Sequence, residues 1–156
     1  MIRPPSLGAK TQKSTCALVC GKPIVTPDYF TAALEAKKNN MPTTEYTDYI
    51  PEPKGKLWEN SDVDLKVNKK RRTLFSGKRF VFIKEDKLLQ IPVKLAGGKV
   101  CLIEDLLLSQ VRNDIFVGRS PSLSQLNDFP QIKSKLSSQG NCIVQESDVG
   151  LAILNC

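Results

Sequence analysis

Between residues 75 and 154, short apolar runs alternate with stretches of helical character. This alternation restricts the chain more than any other feature. Phe75-Ser76-Gly77-Lys78 leads into Arg79-Phe80-Val81-Phe82-Ile83, and the glycine turn plus the aromatic and β-branched run predict a largely buried strand. Leu88 to Leu95 predicts a short helix interrupted at Pro92. The Gly97-Gly98 turn opens a second strand, Val100-Cys101-Leu102-Ile103, and Asp114-Ile115-Phe116-Val117 forms a third. Leu123 to Leu136 has helical character despite Pro130, and Gln139-Gly140-Asn141 stops it. Cys142-Ile143-Val144 is the fourth strand. Ser147 or Asp148 is placed to cap a final helix that buries Val149, Leu151, Ala152, Ile153 and Leu154. Strands separated by helices predict an α/β fold: a four-stranded, mainly parallel sheet with helices on both faces.

Upstream the texture changes. Residues 1–12 are polar with Pro and Gly, and are expected to be disordered. Residues 13–40 read helix, strand, helix. Ser14-Thr15 is placed to cap a helix through Cys16-Ala17-Leu18-Val19-Cys20, with Gly21 as its left-handed end. Pro23-Ile24-Val25 predicts a short buried strand. Thr26-Pro27-Asp28 then starts a second helix whose Tyr29, Phe30, Ala33 and Leu34 form one apolar face. Lys37-Lys38 and Asn39-Asn40 end it. Residues 41–73, with Pro42, Pro51, Pro53 and Gly55, read as linker. Trp58 is its one large apolar side chain and is expected to dock on a neighbouring surface.

Composition narrows the chemistry. The 156 residues carry no histidine, which removes His-based triads, general bases and metal ligands. Five cysteines make an odd count without a disulfide framework, as expected of a reduced intracellular setting. The net charge of +7 suits acidic partners. No apolar run approaches the roughly 20 residues that span a bilayer, so no membrane partner is expected.

The order of elements resembles the BRCT repeat. Cys16 to Val25, followed by Pro27-Asp28-Tyr29-Phe30, is similar to the end of a first repeat. Phe75 to Ile83, the Gly97-Gly98 turn, and Gln139-Gly140 through Val149 to Ile153 are similar to a second repeat. The implied organisation is a disordered 1–12, a partial first repeat over 13–40, a linker with a basic run over 41–73 and a second repeat over 74–156. One position departs from the pattern. Many BRCT repeats hold a Trp in the helix before the fourth strand, where this chain has Phe129 in Asp128-Phe129-Pro130.

The resemblance is to tandem-BRCT scaffold subunits of double-strand-break repair. It implies a non-enzymatic protein of the nucleus and of break foci, active in DNA repair, checkpoint signalling and telomere maintenance. It implies as partners phosphorylated DNA-damage mediator proteins and the other subunits of a repair complex. Such proteins also carry a phosphothreonine-binding FHA domain, the first half of the first repeat and a long C-terminal tail. The expectation is therefore that these residues are one piece of a longer scaffold.

Lys13 is the first candidate site residue. It stands eight residues before Gly21, where the resemblance implies a Lys that pairs with a peptide phosphate. The competing reading is a solvated surface lysine. Lys69-Lys70-Arg71-Arg72 is the second candidate, as a nuclear import signal or a nucleic-acid contact; the competing reading is a solvated hinge. A direct DNA-binding protein using this run is the alternative function. Cys16 and Cys20, four apart, are expected to pack rather than bind metal, as are Cys101 and Cys142, while Cys156 is a candidate free thiol. Gly97-Gly98-Lys99 does not have the spacing of a phosphate-binding loop. Asp62 with Asp64, and Glu104 with Asp105, read as exposed charge rather than acid pairs. No catalytic residue, metal or cofactor is expected. Residues 74–156 are expected to be about as stable alone as the whole chain.

Overall fold

The structure is a computed structural model, and it describes residues 12–52, 65–106, 111, 114–140 and 143–156. Trp58, Asp62, Asp64, Cys142 and the first eleven residues lie outside the described residues. The second half of the chain forms a four-stranded sheet in the order β2-β1-β3-β4, every pair parallel. The strands are β1 (Arg79–Phe82), β2 (Lys99–Leu102), β3 (Asp114–Gly118) and β4 (Val144–Gln145). Helices are numbered along the whole chain, so those of this half are α3 (Lys87–Leu95), α4 (Pro130–Ser138) and α5 (Glu146–Leu154). This is the α/β architecture expected of a BRCT repeat.

The pleat sorts the side chains. Phe80, Phe82 and Val117 face a core completed by Leu89 and Val93 of α3, its C-cap Ala96, and Val149 and Ile153 of α5. Val81, Ile83 and Phe116 face the opposite core, closed by Ile132 and Leu136 of α4 with Ile103, Leu126 and Ile143. Arg79 and Asp114, register partners at the start of β1 and β3, pin the central pair. Arg79 Nε donates to Asp114 Oδ1 at 2.7 Å and its second nitrogen donates to Oδ2 at 2.8 Å, a bidentate ion pair.

Local chemistry explains the helix boundaries. Asp86 caps α3 by accepting from the amides of Leu88 and Leu89. Pro92 sits inside α3 without ending it. Pro130 likewise does not interrupt a longer helix. It begins α4 at a position whose missing N–H costs nothing, and Leu123–Leu126 is a separate 3-10 turn. The final helix starts earlier than expected. Gln145 is its N-cap, and Asp148 accepts from the Gln145 amide, closing the turn from within. Gly98 has no room for a methyl: a Cβ there would lie 2.9 Å from Val93 Cγ1 and 3.1 Å from Phe75 Cβ.

The first half of the chain contributes α1 (Gln12–Val19) and α2 (Pro27–Lys38). Ser14 and Thr15 lie inside α1, not at its cap. Its end is as expected: Gly21 has φ +64°, its amide bonds to Leu18 O and the Lys22 amide to Ala17 O, a Schellman closure. Two expectations fail here. Pro23-Ile24-Val25 forms no strand; it runs as irregular chain held by one bond from the Thr26 amide to Tyr49 O. The apolar face of α2 is not core, since Phe30 and Leu34 are 61% and 60% exposed. The cause is common to both. No strand of the described residues lies beside 23–25 or beneath α2, and only the 3-10 turn Tyr46–Tyr49 returns to it, with Tyr49 edge-on to Tyr29.

α1 behaves differently. It packs against α3 and α5. Val19 enters the core beside Phe80 and Ile153, and Leu18 joins Leu65 and Leu154 in a third cluster backed by Ile24 and Ile50. Residues 65–73 are therefore not a free linker. The 3-10 turn Lys69–Thr73 buries Arg71 completely. Its guanidinium donates to Ile153 O at 3.0 Å, Leu154 O at 3.1 Å and Lys66 O at 2.7 Å. Two of these carbonyls close the C-terminal end of α5, where the helix dipole favours a cation. Asn68 Nδ2 adds a bond to Cys156 O. The C-terminal end of α5 is thus closed by Arg71 and Asn68, which lie outside 74–156.

Replacing Arg71 with Met should therefore cost about 3 kcal/mol or more in urea unfolding, because buried carbonyls lose charged donors. Replacing the neighbouring exposed Arg72 with Met should stay within about 0.5 kcal/mol.

Candidate functional site

The junction of α1 and α3 holds the first candidate, Lys13. Gln12 Nε2 donates to Lys87 O at 3.1 Å, tying the first turn of α1 to the first turn of α3. Lys13 follows directly, exposed at the mouth of this junction. Its charged end makes no hydrogen bond or ion pair among the described residues. One turn along α3 from Lys87, Gln90 is only 9% exposed, and its Nε2 has no hydrogen-bond partner among the described residues. A buried amide donor left open costs about 1–3 kcal/mol. Residue spacing gave no signal for Gln90; only its burial reveals it.

The second candidate run does not act as a unit. Lys69, Lys70 and Arg72 are exposed, whereas Arg71 is buried and bonded to main-chain carbonyls. The run thus presents three cations, on a backbone fixed by the fourth.

Cys16, Cys20, Cys101 and Cys156 are all half-buried free thiols. Burial pushes the Cys16 thiol up, and the nearby Cys20 adds to the shift. Burial also raises Cys101, against the opposing charge of Arg79. Both effects hold the neutral thiol, the opposite of what a metal ligand or nucleophile requires. No group of three or more His, Cys, Asp or Glu side chains is gathered for a metal among the described residues. No helix among the described residues is long and apolar enough to cross a membrane. Glu104 and Asp105 share an exposed 3-10 turn.

A small cavity of about 180 Å³ opens at the C-terminal ends of β1 and β3, lined by Lys84, Arg119, Gln125, Asp128 and Glu146 among others. Its charges are of both signs, and Gln125 is engaged in the loop around Arg119, Ser120 and Ser122. It does not single out an anionic ligand.

No family model matches the chain. Whole-chain comparison is more informative. Nibrin of Danio rerio is 31% identical over 158 residues, covering 93% of this chain and 19% of its own length. Nibrin of Gallus gallus is 32% identical over 160 residues, 92% of this chain and 21% of its own. Nibrin of Rattus norvegicus is 36% identical over 97 residues, 61% of this chain and 13% of its own. The chain thus spans about a fifth of the length of the curated relatives that match nearly all of it. Similarity that extends over both halves, together with the parallel four-stranded sheet, makes this a nibrin-like protein.

Proposed function

We propose that the chain is a non-catalytic scaffold and phosphoprotein-interaction module acting with the MRN complex in DNA double-strand-break repair. In this reading residues 13–40 are the closing half of a first BRCT repeat and residues 74–156 the second. α1 is then the helix by which the first repeat holds the second. Its partners are phosphorylated DNA-damage mediator proteins and, in the longer protein, the other MRN subunits. Its place is the nucleus, at break foci, with roles in checkpoint signalling and telomere maintenance.

The observation that carries the reading is the α1–α3 junction. Lys13, exposed and next in sequence to the tie from Gln12 to Lys87, offers an unengaged cation on α1, and α3 holds a buried donor, Gln90 Nε2, that lacks a partner among the described residues. A cation suits a phosphate by a charge-assisted bond, and an open amide suits a peptide carbonyl. Phosphorylated peptide supplies both. The remaining phosphate donors would come from the earlier half of the first repeat.

The test is fluorescence anisotropy with an acidic phosphoserine peptide and its unphosphorylated twin. Phosphate-dependent binding should fall at least tenfold in Lys13→Glu, equivalent to about 1.4 kcal/mol. Equal binding of both peptides, or an unaffected Lys13→Glu, would contradict it. Gln90→Leu separates the groove from the fold. It should raise stability by about 1 kcal/mol in thermal or urea unfolding, since it removes an unsatisfied buried amide, while weakening the phosphopeptide severalfold. A loss of stability would mean that the amide is already satisfied.

A further inference from the structure

We infer that the chain carries a second anion-binding surface, separate from the α1–α3 junction: a basic strip along the N-terminal edge of the sheet that binds the backbone of duplex DNA. Its members are Lys69, Lys70 and Arg72 on the docked turn, and Lys78, Lys94 and Lys99 around the Gly97-Gly98 turn. All six are exposed.

The fold brings the two groups together. The Phe75 amide bonds to Ala96 O at 2.9 Å, and the Lys99 amide to Lys78 O at 2.9 Å. A Cβ on Gly97 would lie 3.3 Å from Arg72 O, so the docked turn and the Gly97-Gly98 turn are in direct contact. Lys94 ends α3 at this point, and its carbonyl accepts from the Gly97 amide.

Among the described residues no Asp or Glu side chain forms an ion pair with these six cations. From residue 65 to residue 103 the only acids are Glu85 and Asp86. Both lie beyond the opposite end of β1, where Glu85 approaches Lys87 and Asp86 caps α3. Asp114, the acid at the start of β3, is held in both its oxygens by Arg79. The charged ends of the six strip residues make no hydrogen bond or ion pair among the described residues.

Buried Arg71 fixes the docked turn, so three of the cations stand on a rigid base and less ordering is needed on binding. The strip and Lys13 lie at opposite ends of α3, whose nine residues span about 13 Å.

Duplex DNA fits better than the other polyanions. A single strand is held by stacking on exposed aromatics. The aromatics of this stretch, Phe75, Phe80 and Phe82, are all buried. An isolated phosphate calls for converging donors, whereas these cations are spread along an edge. Regularly spaced backbone phosphates match that spread, without base readout.

The experiment is an anisotropy titration of the whole chain with a short labelled duplex across a salt series. Binding should weaken by roughly 10²–10³-fold between about 50 and 200 mM salt. Two triple variants, Lys69→Glu/Lys70→Glu/Arg72→Glu and Lys78→Glu/Lys94→Glu/Lys99→Glu, should each weaken it at least tenfold and flatten the salt slope. Lys37→Glu/Lys38→Glu on α2 reverses two like charges elsewhere and should change it by less than twofold. The corresponding Lys→Gln and Arg→Gln triples give the same reading if a Glu variant melts early. The inference is overturned if the Gly97-Gly98 triple binds like wild type, if the α2 control loses as much, or if single-stranded DNA or an acidic peptide of equal charge binds as tightly as the duplex. Phosphopeptide binding should be unchanged in both strip triples, so this result and that of Lys13→Glu are independent.

Discussion

A single guanidinium ties the two halves of the chain together. Arg71 is buried, and it donates to the last two carbonyls of α5 as well as to Lys66 O, joining residues 65–73 to that helix end. Around it Leu65, Leu154 and Leu18 close an apolar cluster, and Leu18 brings α1 with it. α1 then places Val19 in the core beside Phe80 and Ile153. Desolvating a cation is expensive, and the cost is offset here because the oriented carbonyls of a helix end replace solvent. The position of Lys13 and the rigidity of the basic turn follow from that docking.

The sheet was legible because its signals are local. Arg79-Phe80-Val81-Phe82-Ile83 and Asp114-Ile115-Phe116-Val117 contain the alternation that feeds two cores, and glycines precede β1, β2 and β4. The helix ends were less legible, because proline has two meanings. Pro130 looks like an interruption within an apolar stretch, yet it is the first residue of α4. Pro23-Ile24-Val25 and the face of Phe30 and Leu34 misled for another reason. Strand and core are properties of a partner surface, and no described strand lies beside them.

The candidate sites divide in the same way. Lys13 and the run from Lys69 to Arg72 stood out by residue type and position, but their type did not distinguish among their members. Arg71 is identical in kind to Arg72, and only tertiary burial separates a structural cation from a surface one. Gln90 offered no motif at all. Lys94 and Lys99 are unremarkable in sequence and become part of a strip only because the Gly97-Gly98 turn folds against Arg72. The two proposed anion sites stand at opposite ends of α3, so that in this proposal a phosphorylated protein and nearby DNA are held separately.

The central claim is that α1 and the sheet domain form one cooperative unit. Native-state hydrogen exchange tests it most directly. The account predicts that the Cys20 amide, bonded to Cys16 O at the C-terminal end of the docked helix, is protected to the same free energy as the amides of Phe80 to Phe82 in β1. Exchange of the α1 amides at near-unprotected rates, while β1 and α5 stay protected, would contradict it.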